Sequence, residues 1–168
     1  MSEEKVPEWA KGIKLSKNFS LWELCRSEKH PDLVEAPSST VQYWLQWWAQ
    51  EALQPLRDEI GKMHIDSGYR NRKLNRAVGG ELESSHQVIV TGKFKAVATD
   101  IVPLEINLDA AFRAIAKLKT LPIRGAIIYP KRGFIHIDSR DGVRTFWIST
   151  EPGKYHSISC EEALKFKI

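Results

Sequence analysis

Gly125-Ala126-Ile127-Ile128-Tyr129-Pro130-Lys131-Arg132-Gly133-Phe134-Ile135-His136-Ile137-Asp138 holds two short apolar runs on either side of Pro130-Lys131-Arg132. Runs of this length bounded by turn residues predict strands over residues 125–129 and 133–138, joined as a hairpin. Side chains two apart on a strand point the same way at a separation of roughly 6.7 Å, so His136 and Asp138 share one face. A structural element and a candidate site therefore meet in one hairpin.

Towards the carboxy terminus, Asp141-Gly142 introduces a third strand over residues 143–149. Upstream, Asn107 or Asp109 caps a helix running to about Lys119, with Leu108, Ala111, Phe112, Ile115 and Leu118 on one face. Before it, residues 87–91 and 96–102 read as two strands paired across a turn at 92–95 and stopped by Pro103. Residues 63–67 alternate like another strand, and residues 69–80, polar and ending in Gly79-Gly80, read as a loop with a helical turn. The main core helix is expected over residues 41–60, where Trp44, Leu45, Trp48, Ala52, Leu53 and Leu56 recur at helical spacing. Pro55 predicts a kink or restart within it, and Gly61 its end. A shorter helix begins near Leu21, with Ser20 as cap and Glu23 completing a capping box. Helices first, then clustered antiparallel strands with one helix between them, predict an α+β domain: an antiparallel sheet flanked by helices.

The 168 residues are 42% hydrophobic, enough for one core and too apolar for a disordered or fibrous chain. Residues 1–14 are read as a polar leader and residues 15–168 as a single domain. Lys and Arg number 25 against 21 Asp and Glu, a formal charge of +4. Such a surface suits an anionic polymer but lacks the dense basic stripe of a nucleic-acid binder. Cys25 and Cys160 are too few for a disulfide scaffold and are read as reduced thiols. No stretch approaches the roughly 18 apolar residues of a membrane span, and the first residues lack the apolar run of a secretion signal. Synthesis in the cytoplasm, without membrane insertion, is expected, with a monomer as the default.

Ser84-Ser85-His86 lies in a polar loop, while Asp100 and His136 each stand inside a strand. Two histidines and a carboxylate are a common catalytic zinc set. A histidine on an apolar strand equally suits a packed, hydrogen-bonded role, so spacing alone leaves both readings open.

The run Asp66-Ser67-Gly68-Tyr69-Arg70, then Asn75-Arg76-Ala77-Val78-Gly79-Gly80, then Ser84-Ser85-His86, then Ala96-Val97-Ala98-Thr99-Asp100 narrows the choice. Its segments closely resemble, in order, those of the zinc D-alanyl-D-alanine carboxypeptidases and L-alanyl-D-glutamate endopeptidases. Leu21-Trp22-Glu23-Leu24, Leu53-Gln54-Pro55-Leu56-Arg57 and the strand carrying His136 extend the likeness over residues 15–147. The resemblance implies a small α+β fold shared with the amino-terminal domain of hedgehog, one Zn2+, and hydrolysis of peptidoglycan peptides. Mapped onto this chain, His86, Asp100 and His136 are the expected metal ligands. Arg70 is expected to act in catalysis and, with Ser85, in substrate binding, its fork of donors suiting a carboxylate or a developing oxyanion. Peptidoglycan is the expected partner, with no nucleic acid, and a phage or prophage lysis or virion protein the expected setting. Such a protein reaches the wall after release from the cell or as part of the virion.

Two features depart from the family pattern. The histidine and aspartate ligands, at 86 and 100, lie fourteen positions apart, about seven more than usual, and surface loops tolerate insertions of that size. The proton acceptor often found two or three residues before the last ligand is replaced here by Phe134 and Gly133. Asp138 is the expected substitute as a catalytic base, or else it orients a ligand; Glu81 and Glu83 are further candidates. A wall-binding module that has lost hydrolysis is the alternative function.

Overall fold

Ser20 opens α1 (Leu21–Cys25) by accepting a hydrogen bond from the Glu23 N–H at 3.2 Å, the cap its sequence predicts. The structure, a computed structural model, describes residues 5–91 and 94–168. Ser38 likewise caps α2 (Ser39–Trp48), which runs through one π turn, Ala49–Leu53, into α3 (Gln54–Ile60). Pro55 has no N–H to give, and the π turn ahead of it shifts the hydrogen-bond register, with Gln54 N–H reaching back to the Ala49 carbonyl. The expected interruption is therefore a bulge in a continuing helix. Gly61, at φ 82, ends it.

The chain continues through β1 (Met63–Ser67), α4 (Arg72–Ala77), β2 (Ile89–Thr91), β3 (Phe94–Ala96), β4 (Ala98–Pro103) and α5 (Leu108–Lys117). It closes with β5 (Gly125–Tyr129), β6 (Phe134–Asp138), β7 (Thr145–Glu151), β8 (Lys154–Ile158) and α6 (Cys160–Lys165). Six strands form one sheet in the order β1-β4-β6-β5-β7-β8. The domain is α+β as expected, and neighbours run antiparallel except β5 and β7, which are parallel.

One pairing differs from the sequence reading. β2 pairs with β3, and β4 lies in the main sheet between β1 and β6. Burial explains the difference: residues 98–101 are all buried, as a central strand requires, whereas Val90 and Thr91 are exposed and suit a small outlying ribbon. The expected turn at 92–95 includes Gly92 and Lys93, which lie outside the described residues. β8 and α6 were not foreseen.

Alternation divides the sheet into two faces. Thr99 and Ile101 of β4, Ile135 and Ile137 of β6, Ala126 and Ile128 of β5 and Phe146 of β7 are buried in the core. Phe112 of α5 meets Phe146 edge-on at 5.9 Å, and the buried Trp48 indole donates to Thr99 Oγ1 at 2.8 Å. The packing role expected of the tryptophans thus holds for Trp48. The other face carries Asp100, His136 and Asp138, with Asp100 directly opposite His136 and Ala98 opposite Asp138. Among the described residues no helix is long and apolar enough to cross a membrane.

Candidate metal centre

Strand register brings two of the expected ligands together. His136 Nδ1 lies 2.8 Å from Asp100 Oδ1 across the β4–β6 pair. His86 comes from a single buried 3-10 turn, Ser85–Gln87, and its Nε2 lies 3.3 Å from His136 Nδ1 and 3.4 Å from Asp100 Oδ1. The fourteen-position spacing between His86 and Asp100 is compatible with this convergence, because β2 and β3 within it pair with each other outside the main sheet.

The outward nitrogen of each imidazole faces an acceptor. His86 Nδ1 lies 2.7 Å from the Gly68 carbonyl and His136 Nε2 lies 3.1 Å from Asp138 Oδ2. Donating outward fixes each tautomer and turns the remaining lone pair inward, the arrangement that metal-binding histidines require. Two lone pairs and a carboxylate oxygen so close together need a cation or a proton between them. The donor set suits a metal ion, and His86, Asp100 and His136 are positioned to hold one.

Burial alone would lower His136, but the Asp100 and Asp138 carboxylates outweigh it and raise the imidazole to about 9. Burial lowers His86. Asp100, despite a burial effect in the opposite direction, is held well below the carboxylate range by the two imidazoles.

Asp138 sits behind His136, fully buried. Its Oδ1 accepts from the Arg140 backbone N–H at 3.0 Å, and Arg140 Nε reaches Oδ1 and Oδ2 at 2.7 and 2.9 Å. A second guanidinium nitrogen also donates to Oδ2. Arg140 lies 5.0 Å over the Trp147 ring, a cation–π contact. Gly125 stands opposite Asp138 in β5, and a Cβ there would come within 2.6 Å of Asp138 Oδ2 and of Arg140 Nε. Of the two roles foreseen for Asp138, this geometry fits the one that orients a ligand.

Arg70 joins the ligand-bearing segments. Its backbone N–H donates to the His86 carbonyl at 2.8 Å, Nε to Ser67 Oγ at 2.8 Å, and a terminal nitrogen to Asp100 Oδ2 at 3.1 Å. Ser85 is half-buried at the start of the His86 turn, which Ser84 caps by accepting from the His86 N–H at 3.3 Å. Glu81 and Glu83 are exposed in the preceding loop.

The glycines around this loop have physical reasons. A Cβ on Gly68 would strike the Leu24 carbonyl oxygen, which also accepts from the Tyr69 N–H at 2.6 Å. Gly79, at φ 70, turns the chain after α4, and Gly80 leaves room for Asn75, whose amide donates to the Glu81 carbonyl at 2.8 Å. Sequence reasoning missed the Gly68 carbonyl, Ser67, Gly125 and Arg140. Counting the hairpin register back from Tyr129 opposite Phe134 would have placed Gly125 against Asp138.

A family model described as Peptidase M15 matches residues 17–138, well over half of the chain and inclusive of all three ligand positions. Comparison with curated proteins gives no match. The ordered motifs, the fold, the convergent His86–Asp100–His136 group and the matching family model together show that the chain belongs to the peptidase M15 family.

Proposed function

We propose that this protein hydrolyses peptide bonds in bacterial peptidoglycan, using one zinc ion held by His86, Asp100 and His136, in a phage or prophage lysis setting. The observation that carries the reading is the inward convergence of three ligand atoms whose imidazoles are both anchored from behind. Bound there, zinc supplies Lewis acidity towards the scissile carbonyl and the attacking water.

The chain's own residues provide orientation and charge. Gly68 and Asp138 hold the two imidazoles in the ligating tautomer. Arg140 in turn holds Asp138, so Asp138 acts through His136 as a positioning residue. Arg70, anchored on Ser67 and Asp100, presents its guanidinium edge to the substrate, where it suits a carboxylate or a developing oxyanion.

A second reading, wall binding without hydrolysis, draws on one observation. Phe134, at a position where relatives place a proton acceptor, is buried and stacks on Tyr129 at 4.4 Å. The test is digestion of purified peptidoglycan by zinc-loaded protein beside His136→Ala and Asp138→Asn, with mass spectrometry of released peptides. Product from the wild type, lost with His136→Ala and reduced with Asp138→Asn, is expected. Wall binding with no product across several wall types would favour the second reading.

A further inference from the structure

Between His86 and Asp100 the chain forms a ribbon that the main sheet does not use. β2 pairs with β3 alone, so one edge of β2 has no neighbouring strand. Among the described residues, Ile89–Thr91 make no backbone hydrogen bond outside the ribbon. Such an edge is a row of N–H and C=O groups set out to receive another extended chain.

That strand lies beside the metal centre. Ile89 and Thr91, two apart and so on one face of β2, line a cleft of about 510 Å³ together with Tyr69, Arg70 and Val88. Arg70 belongs to both places, because it donates to Asp100 Oδ2 at 3.1 Å. Ile89 follows His86 by three residues, which keeps their Cα atoms within about 11 Å of each other. Val88, buried with φ 55 and ψ 80, makes the turn between them. A β-branched residue rarely adopts that conformation, and it persists where surrounding structure enforces it, often at binding sites.

We propose that the free edge of β2 is a substrate subsite that takes an extended, α-linked peptide segment as a third strand, next to the bond presented to the metal centre. The inference rests on the peptidase reading above and names the substrate class within it. Strand pairing recognises the backbone and needs amides spaced at about 3.3 Å per residue. Wall cross-bridges of α-linked residues meet that need. A γ-linked D-glutamyl residue, as in the stem, lengthens the path between successive amides and puts those beyond it out of register. Cross-bridge peptides are therefore the favoured class.

The test uses the full-length, zinc-loaded protein and two pentaglycine probes, each carrying a zinc-chelating hydroxamate at one end or the other, which fixes the register. One of the two is expected to bind about tenfold more tightly than the hydroxamate head alone. Only alternate residues of an added strand turn their N–H groups towards β2. N-methylating its glycines in turn should therefore weaken binding about three- to tenfold at alternate positions and little between them. Replacing the second glycine from the head with γ-linked D-glutamate should abolish the gain, and the amide resonances of Ile89–Thr91 should move on titration. No gain over the head with either probe, losses equal at every position or absent, a gain kept by the γ-linked probe, or unmoved β2 amides each overturn the proposal. Mass spectrometry of digested wall reports separately on hydrolysis. The alternating pattern without hydrolysis sinks the peptidase reading and leaves the subsite standing; hydrolysis without the pattern does the reverse.

Discussion

Gly125→Ala tests whether the support behind His136 matters to metal binding. The added Cβ would lie 2.6 Å from Asp138 Oδ2 and Arg140 Nε and 2.7 Å from Asp138 Oδ1, where ordinary contact begins at 3.4 Å. The carboxylate must therefore retreat by about 0.8 Å, a shift comparable to those that overpacking forces at a cost of about 1–3 kcal/mol. The hydrogen bond at stake is already 3.1 Å long, so this displacement removes it or turns the His136 ring. Losing such a partner typically weakens metal affinity about 10- to 100-fold. Zinc affinity measured by chelator competition should fall by that factor, with a lower melting temperature in the metal-free protein. In an Asp138→Ala background the clash with the carboxylate is gone and Arg140, no longer held by it, is free to move aside, so Gly125→Ala should then cost little further zinc affinity, a coupling that a double-mutant cycle reads directly. Zinc affinity within about twofold of wild type for the single variant would refute the reasoning, since neighbouring sites this close are expected to couple more strongly.

Three further outcomes are expected. Arg70→Lys cannot keep both the Ser67 and Asp100 contacts, so kcat/KM on wall peptides should drop about 10- to 100-fold, while zinc stoichiometry stays the same. Trp48→Phe leaves the buried Thr99 hydroxyl without its 2.8 Å donor and should destabilise the domain by about 1–3 kcal/mol, read by denaturant unfolding. Cys25 is buried, and burial pushes its thiol up to about 12; at pH 8 a thiol reagent should modify Cys160 in the folded chain and Cys25 only on unfolding. Because the unfolded thiol titrates near 9, the stability linked to Cys25 is fully present below that pH and lost as pH rises towards 12. Cys25→Ala should therefore show a flatter alkaline stability profile.

The elements around the site were legible because their residues carry strong local signals. The β5–β6 hairpin, the α5 face and the cap at Ser20 follow from apolar period and side-chain chemistry alone. What escaped was long-range pairing. That β4 joins β1 and β6 instead of β2 depends on burial from both faces, which a short alternating segment does not announce. The parallel contact between β5 and β7 is equally non-local. β8 is largely exposed and has no apolar alternation to reveal it, although the Ser159–Glu162 capping box at α6 was a readable signal. At the site, the ligands were readable through ordered motifs, whereas Gly68 acts through a backbone carbonyl, which sequence patterns do not mark.

The most direct measurement is zinc stoichiometry with X-ray absorption at the zinc edge, on wild type and on His86→Ala, Asp100→Ala and His136→Ala. The account predicts one zinc per chain in the wild type, with imidazole nitrogens and carboxylate oxygen at about 2.0–2.2 Å, and loss of that ion in each variant. Wild-type protein that retains no zinc, or variants that retain it in the same coordination, would contradict the assignment of His86, Asp100 and His136 as the metal centre.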